Sequence, residues 1–280
     1  MAYGHQIDLS KFLDRLMQRS DLGEEEQDAI LSLPGQFRDV KQNRDFVALR
    51  QAVQHASLVV DGVVGRFEET GKGARQVSAV HLPGDMADLY SLVQPLAPSS
   101  LQAFSAATIF RIPHSALKEA ASRLPALAEA FWRDCVADAA ILSQWVLNLG
   151  CKDARARIAH LLCEIASRLR VRAGRNSFSF PFAVTQFQIA DAVGLTPVHA
   201  NRVIRGLRLD GVADVGRSAV RVMDWEWSPP ESSIVVICKS APAMTAMPDA
   251  LLVLRTTESV RLMARARHSQ RYYRSSTGRL

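Results

Sequence analysis

Near the start of the chain, over Asp8 to Leu31, the apolar residues Phe12, Leu13, Leu16 and Met17 recur at helical spacing and predict one or two short amphipathic helices. From about Gly35 to Ile112 the pattern changes to short runs rich in β-branched residues, among them Leu58 to Val60, Val63-Val64 and Val77 to Leu82. Asp61-Gly62, Gly71-Lys72-Gly73 and Pro83-Gly84-Asp85 supply tight turns between them, so this stretch reads as antiparallel strands. Short strands at this spacing hide their edges by closing on themselves, and a small β-roll or barrel is expected.

From Ser115 to Leu149 the strand signals stop and one long helix is expected, with Pro125 its only interior breaker. Its apolar residues form two stripes. Phe131, Leu142, Trp145 and Leu149 make one; Trp132, Val136, Ala139 and Val146 make the other. Two stripes imply two partners, the β-domain and the same helix of a second copy, and the first stripe is assigned to dimerisation. The same periodicity also fits a core helix buried on two sides within one chain.

After Gly150 comes a helix with Ile158, Leu161, Leu162, Ile165 and Leu169 on one face, then Phe178, Phe180 and Phe182 alternating with Ser177, Ser179 and Pro181 as a half-buried strand. In the segment VTQFQIADAVGLTPVHANRVIRGLRLDGVADV, Thr185 caps a helix to about Val193 and Gly194 supplies the turn. Thr196 then caps a second helix with Pro197 in its favoured first position. This is the pattern of a helix-turn-helix whose small core is Ile189, Ala190, Val193, Leu195, Val203, Ile204 and Leu207. Ala213 to Val222 reads as a hairpin with Gly216-Arg217-Ser218 at its tip, a wing.

Charge placement changes the picture more than the total of +6. Met1 to Gly150 holds 14 Lys and Arg against 18 Asp and Glu, whereas Cys151 to Val222 holds 12 against 5. A basic block coinciding with a helix-turn-helix points to double-stranded DNA. His199, Asn201 and Arg202 on the exposed face of the second helix suit base edges; Thr185, Gln186, Thr196, Arg205, Arg208 and Arg217 suit the phosphate backbone.

Other chemistries find less support. The 280 residues with 48% hydrophobic content can bury two modest cores. No apolar run is long enough to span a membrane and the N-terminus lacks a secretory stretch, so a cytoplasmic protein is expected. Cys135, Cys151, Cys163 and Cys238 show no CxxC spacing and are expected as buried inert thiols. The seven histidines (His5, His55, His81, His114, His160, His199 and His268) form no HExxH or similar motif, so neither enzyme nor metal site is expected, and no cofactor is assigned.

From about Leu31 to Trp225 this order of elements resembles the Crp/Fnr family of bacterial transcription regulators, most specifically in TQFQIADAVGLTPVHANRVIRGLRLDGV and also in the strands around Pro83-Gly84-Asp85. The resemblance implies an α+β fold: an N-terminal antiparallel β-roll of cyclic-nucleotide-binding type with its preceding helices over 1–114, and a long dimerisation helix over 115–150. A C-terminal winged helix-turn-helix follows over 151–225, and 226–280 is expected to be a disordered basic tail. It further implies a homodimer on a palindromic site, activation of transcription, and contact with RNA polymerase.

By the same resemblance Arg202 stands at the recurrent base-contacting arginine, while Val198 replaces an acidic base-reading residue of well-known members. The Gly-Glu and Arg-Ser pairs that hold cyclic AMP in some members are absent. Asp88-Leu89 and Ala97-Pro98 stand near them, so no cyclic-nucleotide binding is expected. No cysteine precedes Cys135, which speaks against the iron–sulfur cluster of the oxygen-sensing branch. An unknown small-molecule effector stays open. The alternative is a ligand-gated or haem-gated repressor with His55, His81 and His114 as conceivable ligands.

Overall fold

The computed structural model describes residues 2–169 and 177–223, and the expectation for 226–280 lies outside them. Two N-terminal helices, α1 (Ala2–Met17) and α2 (Glu24–Leu31), precede seven strands: β1 (Gln36–Val40), β2 (Asp45–Val47), β3 (His55–Asp61), β4 (Val64–Glu69), β5 (Arg75–His81), β6 (Ser100–Ala103) and β7 (Ala107–Pro113). These pair antiparallel in two sheets, of order β1-β7-β3 and β2-β6-β4-β5. Inward residues such as Val40, Val59, Val64, Leu101 and Ile109 fill the space between the sheets. Gly62 closes the β3–β4 turn at φ +85, where an added Cβ would stand 2.3 Å from the Ala106 carbonyl oxygen; only glycine fits there.

The single helix expected over 115–149 is two. Pro125 disfavours helical geometry at Leu124, which is extended (φ −126, ψ 91), and proline serves instead at the first position of a new helix. The pair is α3 (His114–Arg123) and α4 (Pro125–Cys151). α4 runs for 27 residues, roughly 40 Å at the helical rise.

The dimer-face assignment needs a larger correction. Phe131 is 4% exposed and stacks on Phe12 of α1 with ring centroids 6.4 Å apart. Trp145 is 5% exposed and its indole N–H donates to Glu164 at 2.6 Å. Leu149 is half-buried against Gly194, leaving Leu142 as the one exposed member of that stripe. The other stripe is bare: Trp132 is 71% exposed, Val136 54% and Val146 62%, with Ala139 exposed between them. Periodicity defines both stripes but does not say which one the rest of the chain covers.

The C-terminal part comprises α5 (Ala154–Arg168), β8 (Phe178–Pro181), α6 (Gln186–Val193), α7 (Pro197–Leu209), β9 (Ala213–Val215) and β10 (Ala219–Val222), with sheet order β8-β10-β9. One apolar core joins this part to the outer face of the roll, placing Phe67, Val77 and Phe104 with Ile158, Ile189 and Leu207. Among the described cysteines Cys135 and Cys163 are half-buried, and Cys151 is exposed, against the expectation of burial. Burial and the neighbouring Asp134 and Asp138 push the Cys135 thiol up to about 11, which keeps it protonated and unreactive.

Candidate nucleic-acid interface

Local sequence builds this interface step by step. Thr185 Oγ1 accepts from the Gln188 N–H at 3.2 Å while Gln188 Oε1 accepts from the Thr185 N–H at 2.8 Å, a reciprocal capping box that starts α6. Gly194 ends it in the left-handed region (φ 63, ψ 42), and the Leu195 N–H closes onto the Ala190 carbonyl at 3.0 Å. Thr196 then caps α7 through the His199 N–H at 3.3 Å. Ala200, Ile204 and Leu207 are 0%, 3% and 0% exposed, so one face of α7 is fixed against α6 and α5 and the opposite face is presented outward.

On that outer face Val198, Arg205 and Leu209 lie within about 60° of Arg202 around the helix axis, with His199 at one edge and Asn201 and Arg208 at the other. Val198 and Leu209 are 72% and 75% exposed, and the polar members are exposed too. Arg208 stands 3.8 Å from Asp214. Arg202, Arg205 and Arg217 have no acidic partner within 4.0 Å among the described residues. Arg217 sits at the exposed tip between β9 and β10, where the Gly216 N–H donates to the Ala219 carbonyl at 2.9 Å. Thr185 and Thr196 are exposed and Gln186 is half-buried at the start of α6. The arrangement presents guanidinium, amide and imidazole donors on a helix of groove-filling width, flanked by a basic hairpin.

Two features escaped the sequence reading. Gln188 is 6% exposed and its amide reaches the roll, donating to Asn43 Oδ1 at 3.0 Å; its place in the T-x-x-Q capping box is the signal that marks it. The second is a buried ionic chain. Arg15 of α1 meets Asp85 of the roll as well as Asp134 and Asp138 of α4, the last two at 2.7 and 2.9 Å. Asp85 also meets Arg168 at the end of α5, which donates to the Val80 carbonyl at 2.8 Å and to Glu164 at 3.1 Å. Burial alone would raise the Asp85 carboxyl, but the two guanidinium groups outweigh it and hold it at about 2. Asp85→Asn is expected to lower stability by about 3 kcal/mol, because it removes one partner of a buried pair twice over. The midpoint of urea denaturation measures this.

The three histidines considered as ligands do not form a common set. His55 Nδ1 is 2.9 Å from Arg111, His114 Nε2 is 2.8 Å from Ser91 Oγ, and His81 is enclosed at 1% exposure. Burial and the Arg111 charge push His55 down to about 4. Asp88, near the first absent nucleotide-binding pair, is 2% exposed and accepts from the backbone N–H of Ser57 at 2.6 Å.

Comparison with known proteins agrees with this geometry. Residues 156–227 match the sequence profile of a Crp-like helix-turn-helix domain. The transcriptional activator protein anr of Pseudomonas aeruginosa is 27% identical over 166 residues, 59% of this chain and 68% of that one. The nitrogen fixation regulation protein FixK of Azorhizobium caulinodans is 28% identical over 210 residues, 70% of this chain and 81% of its own. Among solved structures, FixK2 from Bradyrhizobium japonicum superposes with a TM-score of 0.59 at 21% identity, covering 69% of this chain and 94% of that one.

Proposed function

We propose that the chain is a DNA-binding transcription regulator of the Crp/Fnr type, and that it activates transcription as a homodimer bound to a palindromic site, without cyclic AMP. The observation that carries this reading is the outward face of α7 centred on Arg202, an uncommitted guanidinium on a doubly capped helix-turn-helix. Arg202, Asn201 and His199 read base edges; Thr185, Gln186, Thr196, Arg205, Arg208 and Arg217 hold phosphates. The activating sense follows its relatives, which include a named transcriptional activator, and disfavours the repressor alternative. As in the family at large, RNA polymerase is the partner that activation requires, and the protein acts in the cytoplasm as a regulator rather than an enzyme. Among the described residues no helix is long and apolar enough to cross a membrane.

The dimer is assigned to the bare stripe of α4. Trp132, Val136, Ala139, Ser143 and Val146 follow one another at intervals of four, three, four and three, the seam of a two-stranded coiled coil. Small residues at its middle let two such helices approach closely, and an isolated chain leaves this strip in water.

Independence from cyclic AMP is supported by Asp88 and Ala97. Both are buried, and neither offers the cation that a cyclic phosphate needs.

Selection from a random duplex library with no added ligand tests the reading. An inverted repeat should emerge with guanine opposite Arg202 and, beside it, thymine, whose methyl group is the natural contact for the exposed Val198. Val198→Glu should move that neighbouring preference from thymine to cytosine, by about 1–3 kcal/mol per half-site, since a carboxylate accepts from the cytosine amino group. No enriched repeat from the wild-type protein refutes the DNA-reading assignment; an unchanged preference in the variant refutes the role of Val198.

A further inference from the structure

We propose that the pocket where the end of α4 meets α5 and α6 is an effector site for a small uncharged alcohol, separate from the interior of the roll. The effector role rests on the DNA-binding reading above; the binding of the alcohol does not.

Three helices form the pocket. Trp145 and Asn148 come from the last two turns of α4, Arg157 and His160 from α5, and Val193 from the end of α6, one residue before the Gly194 turn. Its volume is about 20 Å³, and one water-sized group needs roughly 10–15 Å³. Leu149 and Arg157, which also line it, are half-buried, so the pocket is open on their side and a ligand can extend that way. Two polar side chains are buried in its wall. Asn148 is 5% exposed, and its Oδ1 has no hydrogen-bond partner among the described residues. His160 is 7% exposed, and its ring makes no hydrogen bond among them either. Leaving such groups unmet in a protein interior is costly, so the two mark a place where a polar atom binds.

The surroundings select a neutral ligand. Burial and the nearby Lys152 push His160 down to about 4, so its imidazole is uncharged at neutral pH. Arg157 donates to the carbonyl oxygens of Lys152 and Val193 at 2.8 and 3.3 Å, and no acid lines the pocket. A cation would meet Lys152 and Arg157 with nothing to pair it. An anion has only acceptors to offer and cannot satisfy Asn148 Oδ1. A hydroxyl both donates and accepts, so it satisfies the Asn148 amide in either orientation and the His160 ring in either tautomer. Trp145, whose own N–H is held by Glu164 at 2.6 Å, and Val193 offer apolar surface to a short alkyl chain. A molecule bound there touches the pairing helix and the reading head together. It favours the arrangement in which Val193 is held against α4, and it raises DNA affinity by enlarging the fraction of molecules in that arrangement.

The test uses the full chain with 1-propanol, propanoate and propylammonium, probes of like size and different charge. The indole N–H of Trp145, assigned in a TROSY spectrum by comparison with Trp145→Phe, reports occupancy. The wild type should show a saturable shift with 1-propanol and none with either ion. Asn148→Leu keeps the side-chain volume and removes the unmet oxygen, so it should lose the saturable shift with an undiminished urea midpoint. His160→Leu should lose the shift as well. Saturating 1-propanol should raise affinity for the selected repeat about 5-fold in the wild type and leave it unchanged in Asn148→Leu.

A shift that stays linear with concentration, or that the ions or Asn148→Leu share, overturns the proposal and assigns the pocket to water alone. Saturable binding with unchanged DNA affinity overturns the effector role. A wild type that selects no repeat is a failure of the DNA-binding reading; a wild type that selects a repeat yet shows no saturable shift is a failure of this proposal alone.

Discussion

Arg202→Ala is expected to leave the protein folded and able to hold DNA, with most of its discrimination between sequences lost. The side chain is exposed with no acidic partner among the described residues, so its removal opens no cavity and strands no buried charge. What it removes is a bidentate contact worth about 1–3 kcal/mol per half-site, and a symmetric dimer loses it twice. Discrimination between the selected repeat and a scrambled duplex should fall on the order of 10³-fold. Arg217→Ala, at the wing tip, should instead weaken both duplexes by the same factor and reduce the salt slope, because a phosphate contact carries no sequence information. Parallel gel-shift titrations at two salt concentrations separate the two outcomes.

The second large effect is expected from Val136→Glu combined with Val146→Glu. Both valines are more than half exposed within one protomer, so the variant should fold as a monomer. In a parallel seam each glutamate would meet its own copy, and burying like charges against each other is costly enough to abolish pairing. Sedimentation equilibrium should report a monomer. Affinity for the full repeat should fall at least about 10³-fold, toward the nonspecific level of a single reading head. Phe131→Glu makes the contrast: Phe131 lies inside the chain against Phe12, so its replacement should destabilise the protomer rather than release a folded one.

The parts of this molecule written in short-range chemistry were legible in the sequence. Thr185, Gly194, Thr196 and Pro197 each act within four residues of themselves, and each holds the conformation its side chain favours. The β-roll was legible in the same way through Gly62 and the short β-branched runs between turn residues. What failed depended on the partner rather than on the element. Phe131 and Trp145 share a helical stripe as good as that of Trp132 and Val136, and nothing in the period says that α1 and α5 will cover the first and leave the second bare.

The ionic chain was illegible for a related reason. Arg15 finds Asp85 and Asp134 at separations of 70 and 119 residues, and Gln188 finds Asn43 across 145. Such pairs are set by topology, and a charged residue in an amphipathic helix reads by default as solvent-facing. Pro125 was seen as a breaker, but its full effect came through Leu124, whose extended geometry splits the expected long helix into α3 and α4.

One measurement bears most directly on the claim that two copies of α7 read one DNA site. It is a methylation-interference footprint of the wild-type protein on its selected duplex. The account predicts two patches of major-groove interference on one face of the DNA, related by two-fold symmetry and centred about 34 Å apart, with a guanine N7 in each lost as a contact in Arg202→Ala. A single patch, interference confined to the minor groove, or a pattern unaltered by Arg202→Ala would contradict it.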